Sequence, residues 1–228
     1  MKGVLGISLD LRLLAAAELV ENCSICADVG TDHGKLGAYL LQHSRCEKVT
    51  MTDISDNSLS KAQRLIHDLG LQQHVRFAVG DGLKPLLGDE ECIVIAGMGS
   101  ETICHILESD KRFANATFVL QANVDANKLR AYLTSHGYCI IDEKLAKDGR
   151  RYYPLICART GSCTLTEEEI LVGPVLLKNP PPDLRAYLQW QQRVAQKALN
   201  GARMGNAEGS IQLLEKEISI RAGVLKNI

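Results

Sequence analysis

The 228-residue chain has no apolar run approaching the roughly 20 residues that a membrane-spanning helix needs. A membrane protein is therefore not expected. The first 23 residues also lack the uninterrupted apolar core of an export signal, because Asp10, Arg12 and Glu18 break it up. We therefore predict a cytoplasmic protein.

The sequence also lacks the paired motifs of a zinc site. Cys23 and Cys26 form a C-x-x-C motif, but no second cysteine pair and no H-x-x-x-H accompany it. Cys26 falls on a predicted buried strand, which favours a core residue over a redox or metal role. No metal is predicted. In the absence of an export signal, the eight cysteines are expected to be reduced thiols.

Excess charge of either sign is missing as well. The formal net charge of −1 argues against a uniformly basic surface for nucleic acid. Residues 128–159 nevertheless hold seven Lys or Arg against three acids. This basic strip is a candidate phosphate-binding surface, and on charge alone a solvated face is an equally good interpretation. Its candidate RNA-binding residues are Lys144, Lys147, Arg150 and Arg151.

No internal repeat or low-complexity segment is present. Instead, short β-rich runs alternate with helical segments, which predicts a parallel sheet covered on both faces. The predicted strands are SICADV, KVTMTDI, VRFAVGD, CIVIAG and TFVLQAN, followed by YCIIDEKLA and RYYPLICA. The Asp148-Gly149 pair between the last two predicts a hairpin, so the final strand should be antiparallel to its partner. Ser8 is the predicted cap of a first helix.

A smaller helical domain is predicted at the end of the chain. The strand pattern breaks at RTGSCTLT, and NPPPD at 179–183 excludes continuous helix there. Apolar residues then recur at helical spacing in 184–199 and 211–225, which predicts an antiparallel helix pair. We therefore divide the chain into an α/β domain, 1–159, and a helical domain, 160–228. Cations on or beside the first of these helices are further RNA-binding candidates: Arg185, Arg193, Lys197 and Arg203.

The stretch ADVGTDHGKLGAYL, residues 27–40, has the form of a strand, a glycine turn and a helix. It lacks the G-x-G-x-x-G motif of dinucleotide-binding folds, and Asp28 and Asp32 would repel a pyrophosphate. S-adenosylmethionine has no phosphate and carries two positive groups, an ammonium and a sulfonium, so acids suit it. This argument favours S-adenosylmethionine over NAD as the cofactor.

Two further acids follow later strands. Asp53 ends the second strand, where doubly wound folds bring a carboxylate to a ribose diol, although a helix cap at Asp53 or Asp56 is the alternative. Asp81 ends the third strand, where it is a candidate for the adenine amino group or a simple turn residue before Gly82. The fourth strand ends in IAGMGS, without the N-P-P-[YF] motif of many amino-methylating enzymes. The predicted cofactor-binding residues are Asp28, Gly30, Thr31, Asp32, His33, Gly34, Asp53, Ile54, Asp81, Gly82, Ala96, Gly97 and Met98.

These motifs resemble one family. ADVGTDHGKL, VGDGL, IAGMGS, LQAN, LRAYLTSHGYCIIDEKL and VGPVLL have the order and approximate spacing of the bacterial TrmK family, the tRNA (adenine-22-N1)-methyltransferases. The resemblance implies a class I methyltransferase core, S-adenosylmethionine as cofactor, a coiled-coil-like helical domain, and methylation of adenine N1 in the D-arm region of tRNA. The chain departs from the family pattern at Ser100, Ala122 and Pro154, which bears on the acceptor pocket.

Adenine N1 attacks a methyl group with its own lone pair, so the enzyme needs alignment and negative potential beside the base. Asp32 is the candidate for that potential, with a helix cap as the alternative. Asn123, at the end of the fifth strand, is the candidate for holding a flipped base. Tyr152 or Tyr153 would stack on it, although core packing is the more common role. A non-catalytic RNA-binding module with the same fold is the competing hypothesis.

Overall fold

The computed structural model describes residues 6–110 and 112–228, and these form a seven-stranded sheet flanked by helices. The strands are β1 Cys23–Val29, β2 Cys46–Asp53, β3 Val75–Val79, β4 Cys92–Met98, β5 Thr117–Ala122, β6 Tyr138–Asp148 and β7 Arg151–Thr160. The helices are α1 Leu11–Leu19, α2 Lys35–Gln42, α3 Asp56–Asp68, α4 Ser100–Glu108, α5 Ala126–Ser135, α6 Glu167–Val172, α7 Pro174–Lys178, α8 Leu184–Met204 and α9 Glu208–Asn227. The predicted α/β fold with a helical C-terminal region is confirmed.

The strand order is β3-β2-β1-β4-β5-β7-β6. The first five strands pair in parallel, whereas β7 lies antiparallel between β5 and β6. The hairpin predicted at Asp148-Gly149 is therefore present. The order reverses between β1 and β4, and doubly wound sheets bind ligands at such a reversal, outside the carboxyl ends of the strands.

Both faces of the sheet are buried. Adjacent residues of β1 point to opposite sides, with Cys26 in a core shared with α1, α2 and α3 and Ala27 in a core shared with α4 and α5. Two-sided burial explains why the central strands are nearly continuous apolar runs rather than alternating ones. It also explains Cys26, which is fully buried.

The first helix begins later than predicted. Ser8 was the expected cap, but the Asp10 carboxylate accepts a hydrogen bond from the Leu13 amide at 2.7 Å and the helix starts at Leu11. The cap is the residue directly before the first helical residue, and here that residue is Asp10. The prediction of Ser8 was wrong.

The cysteine prediction was wrong at one pair. Cys139 on β6 and Cys163, which follows β7, form a disulfide with their Cα atoms 5.5 Å apart. The hairpin returns the chain past the start of β6, so two residues 24 apart in sequence come within disulfide range. The other six cysteines are free.

The chain divides into two compact units, the first ending at Cys163 and the second running from Thr164 to Ile228. In the second unit, α8 and α9 form an antiparallel pair, as their end contacts show: Arg185 bonds to Leu225 and Arg203 to Glu215. The first helix of this pair is longer than the predicted segment 184–199, because α8 continues to Met204. None of the described helices is both long and apolar enough to cross a membrane.

Candidate active site

Most of the predicted cofactor residues lie at one edge of the sheet. The five parallel strands end there, and the loops after four of them contain Gly30, Ile54, Asp81 and Asn123. Gly97 is the second-last residue of β4. Because β1 and β4 are neighbours at the reversal of strand order, their loops form the centre of this edge. We call it the carboxyl edge.

The turn after β1 is held by backbone hydrogen bonds to β2. The amides of Gly30 and Thr31 both donate to the Thr52 carbonyl, at 2.8 and 2.9 Å. Gly30 has φ +76°, and a Cβ there would collide with the side chain of Met98, the last residue of β4. Glycine at position 30 therefore lets the turn after β1 approach the end of β4, and a side chain there would close the space between them.

Gly34 has a different role in the structure. It occupies the cap position of α2 with φ +72°, and a Cβ there would lie 2.8 Å from the Cβ of Ala62 on α3. Close packing of two helices thus accounts for this glycine. The alternative interpretation of Asp32 as a helix cap is excluded by the same geometry, because Gly34 holds that position and no side chain caps α2.

Asp28 lies beneath the turn. It is buried, and its carboxylate accepts a 2.7 Å hydrogen bond from the Thr31 hydroxyl. Burial raises the pKa of Asp28 to about 6, although the bonds from Thr31 and the Gly37 amide oppose that shift. No Lys or Arg of the described residues pairs with Asp28, and a buried acid in this state favours a cationic ligand, which would restore its charged form.

This raised pKa predicts a measurable dependence of stability on pH. Between the ordinary pKa of 3.8 and the folded-state value of about 6, the unfolded chain ionises first, so the contribution of Asp28 to stability is lost as pH rises. The loss should reach roughly 3 kcal/mol by pH 7, because each pKa unit corresponds to about 1.4 kcal/mol. Urea unfolding of the cofactor-free protein at pH 4 to 7 should show this loss relative to Asp28→Asn. Parallel curves for both proteins would contradict it.

Asp53 and Asp32 are linked across the edge. The Asp53 carboxylate accepts hydrogen bonds from the amides of Asp32, at 3.2 Å, and Ser55, at 2.8 Å. The cap of α3 is Ser55, so the interpretation of Asp53 or Asp56 as that cap is wrong. Asp32 is exposed in a left-handed conformation, φ +49°, and its carboxylate lies 2.6 Å from Nδ1 of His33.

The residues after β2 and β3 form the outer part of the edge. Ile54 is 75% exposed, which leaves an apolar surface beside Asp53. Asp81 lies two residues beyond the end of β3 and pairs with Lys84 at 2.7 Å, and this hydrogen bond lowers the pKa of Asp81. Gly82 packs on Ile106 of α4. Asp81 therefore engages a cation of its own loop in this structure.

A hydrogen-bond network that the sequence did not reveal joins β4 and β5. The side-chain oxygen of buried Gln121 accepts from the Gly97 amide at 3.0 Å and from Nη1 of Arg12 at 2.9 Å. Its nitrogen donates to the Asn123 side-chain oxygen at 3.1 Å, and the Asn123 nitrogen donates to the Gly97 carbonyl at 2.7 Å. Asn123 is therefore held in one orientation. Ala96, which precedes Gly97, is half-buried.

The residues of the basic strip differ in whether their charge is already paired or is available to bind a phosphate. Lys144 pairs with Glu18 at 2.5 Å, and Lys147 lies over the Tyr152 ring at 5.5 Å. Arg150 and Arg151, at the hairpin turn, are exposed, and no side-chain partner is found for them among the described residues. These two arginines are the most available cations of the strip.

The cations of α8 also include both paired and unpaired side chains. Arg185 donates to the carbonyls of Leu225 and Ile228, and Arg203 pairs with Glu215 at 2.7 Å. Arg193 and Lys197 are exposed one turn apart, with no side-chain partner in the part of the chain that the structure describes. Within those same residues, no cluster of His, Cys, Asp or Glu is arranged to hold a metal ion.

The two tyrosines of β7 contact other side chains of the protein. Tyr153 packs against the core beneath α1, with the Arg12 guanidinium 6.0 Å from its ring centre. Tyr152 lies under Lys147. Stacking of either tyrosine on a base stays a prediction.

A seven-stranded sheet of this order, with a glycine turn and acids at its carboxyl edge, defines a class I methyltransferase. A family model described as a methyltransferase domain matches residues 9–156. The chain belongs to the tRNA (adenine(22)-N(1))-methyltransferase family, as it is 30% identical over 232 residues to the Bacillus subtilis enzyme of that name, with 97% of each chain covered. The family prediction is confirmed.

Solved structures agree with this assignment. The B. subtilis M1A22 tRNA methyltransferase TrmK has a TM-score of 0.86 and 25% identity, covering 96% of this chain and 99% of that one. The M. capricolum TrmK, solved with S-adenosylhomocysteine, has a TM-score of 0.83 and 26% identity, covering 96% and 98%. The likeness therefore extends through both units of the chain.

Proposed function

We propose that this protein transfers a methyl group from S-adenosylmethionine to N1 of adenine 22 in tRNA. The observation that carries the proposal is the match along 97% of the chain to an enzyme named for this activity. A likeness confined to the sheet would support methyl transfer without supporting the substrate.

The carboxyl edge fits this cofactor. S-adenosylmethionine would supply a methyl group on a sulfonium, and its positive groups match an edge with acids on two neighbouring loops. Buried Asp28 has no cationic partner in the part of the chain that the structure describes. Half-buried Asp53 still has carboxylate lone pairs beyond its two backbone bonds. We assign Asp53 to the ribose hydroxyls and Ile54 to the apolar face of the adenine.

The remaining residues would act on the acceptor base. The N1 position of adenine becomes cationic as it is methylated, and the exposed carboxylate of Asp32 would stabilise that charge. Asn123 is fixed by Gln121 and Gly97, so a base docked against its amide meets a preorganised partner. No proton needs to be removed from N1 before the transfer, and the edge therefore requires no general base.

The function is tested by mapping the product. Unmodified tRNA transcript incubated with the protein and S-adenosylmethionine should gain 1-methyladenosine at position 22, read by nuclease digestion and mass spectrometry. A transcript with guanine at position 22 is the matched control and should gain none. Methylation at another nucleotide would correct the target, and tRNA binding without methylation would favour a non-catalytic RNA-binding module.

The cofactor assignment predicts an effect at Asp53. Asp53→Ala should weaken S-adenosylhomocysteine binding by roughly 10- to 150-fold, because a charge-assisted hydrogen bond contributes about 1.5–3 kcal/mol. Isothermal titration measures the change, and Asp68→Ala, an exposed acid at the end of α3, is the control. Unchanged affinity in a folded Asp53→Ala protein would remove this residue from the site.

A further inference from the structure

A disulfide holds the end of the α/β unit against the start of β6. Cys139, the second residue of β6, is bonded to Cys163, the last residue of that unit. The chain reaches Cys163 directly from β7. On the way, the Gly161 amide donates to the Gly137 carbonyl at 2.9 Å, and a Cβ on Gly161 would lie 3.4 Å from that of Cys139. The pairing of β6 with β7 therefore brings the two sulfur atoms together.

Beyond Gly161, this sulfur bridge is what anchors the chain. Residues 162–165 have no regular secondary structure, and α6 begins only after its cap, Thr166. Across the described residues, the one polar contact found for 162–165 is that of the Cys163 sulfur with the Tyr138 carbonyl, at 3.6 Å. With the disulfide formed, residues 164 and 165 separate an anchored residue from the helix. Without it, the whole of 162–165 does.

Small thiols can reach this bond. Cys139 and Cys163 are both half-buried. By contrast, the core of the sheet contains Cys26, Cys46, Cys92 and Cys157. Thiol–disulfide exchange requires a thiolate to approach a sulfur atom, so accessibility distinguishes labile disulfides from inert ones. The sequence predicts a cytoplasmic protein, and disulfides in that compartment are usually transient rather than permanent. An accessible pair of this kind is therefore suited to reversible exchange.

We propose that Cys139 and Cys163 form a reversible redox site that reacts with low-molecular-weight disulfides of the glutathione class, and that its state decides whether residues 162–163 are anchored to β6. On oxidation, one cysteine thiolate attacks the small disulfide, forming a mixed disulfide and releasing one small thiol. The second cysteine attacks the protein sulfur of that mixed disulfide and releases the other.

The protein thereby loses two electrons and two protons, and the small disulfide gains both. The site lies at the edge of the sheet opposite the carboxyl edge, because β7 runs antiparallel to β5 and ends where β5 begins. The assignment therefore does not depend on the proposed function.

The exchange is tested by equilibrating the full-length protein in graded mixtures of reduced and oxidised glutathione. Free thiols are then alkylated and the peptides are mapped by mass spectrometry. The thiols of Cys139 and Cys163 should disappear together as the buffer becomes more oxidising, and should return in excess reduced glutathione. Cys104→Ser, which removes a half-buried free cysteine of α4, is the matched control and should leave this transition unchanged. A pair that stays reduced throughout, a pair that stays oxidised in excess reduced glutathione, or a bond between other cysteines would overturn the proposal.

The anchoring is tested by limited proteolysis with a protease of broad specificity. Cleavage within residues 162–165 should be roughly tenfold faster in the reduced protein than in the oxidised protein, because an unanchored backbone opens more readily to the protease. Cys139→Ser leaves Cys163 without its partner and should be cleaved at the reduced rate in either buffer. If Cys139→Ser does not fold, reduced wild-type protein with alkylated thiols takes its place. Equal cleavage rates for oxidised and reduced wild-type protein would overturn the role of the bond as an anchor.

Discussion

Replacing Asp32 by Asn is expected to lower kcat for tRNA methylation by roughly 100- to 1,000-fold, the usual cost of removing one preorganised electrostatic contact. The affinity for tRNA should change by less than about threefold, since the charge acts on the transition state. The substitution is mild for the fold. Asn tolerates the left-handed backbone at this position, and the Asp32 amide still donates to Asp53.

Single-turnover kinetics and tRNA binding, measured on the same preparation, separate the two effects. Asp56→Asn, an exposed acid in the first turn of α3, is the control and should retain wild-type turnover. If turnover and tRNA affinity fell equally in Asp32→Asn, Asp32 would be a binding or structural residue. The electrostatic role would then pass to another group of the carboxyl edge.

Neutralising four exposed cations is expected to weaken tRNA binding by roughly 100- to 1,000-fold at low salt. The variant combines Arg150→Gln, Arg151→Gln, Arg193→Gln and Lys197→Gln, whose side chains have no partners among the described residues. A phosphate contact contributes roughly 0.7–0.9 to the slope of log affinity against log salt, so that slope should fall by about three. S-adenosylhomocysteine affinity should not change, since none of these residues belongs to the loops after β1 to β5 that hold the predicted cofactor-binding residues.

The paired cation Arg203 supplies the comparison. Its guanidinium already binds Glu215, so Arg203→Gln should leave the salt slope nearly unchanged and affect mainly the contact between α8 and α9. Variants of each pair, Arg150 with Arg151 and Arg193 with Lys197, show which surface contributes more. If the fourfold variant bound tRNA with wild-type affinity and slope, both surfaces would lose their assignment to RNA.

The sequence predicted the parts of the site that depend on local pattern. Alternating strands and helices fix where strands end, so Asp53 and Asn123 could be assigned to one edge before their neighbours were known. Arg12 and Gln121 were missed because their bond joins residues 109 apart in sequence, and no periodicity encodes such a contact. In the sequence, Gln121 has the pattern of an ordinary strand residue, and Arg12 has that of a polar residue on the exposed face of an apolar helix. The Cys139–Cys163 pairing was missed for the same reason.

The position of β7 inside the sheet has a consequence for how the protein is made. During synthesis β5 is an exposed edge until the chain has been extended through Thr160, because its antiparallel neighbour is the last strand to emerge. The first helix gains its packing against β6 and β7 only when those two strands have formed, although it also contacts α2, β4 and β5. The sheet of the α/β unit is therefore completed only by its last strand. Stalled chains shorter than about 160 residues are expected to present an unpaired strand to neighbouring molecules, and so to depend on chaperones.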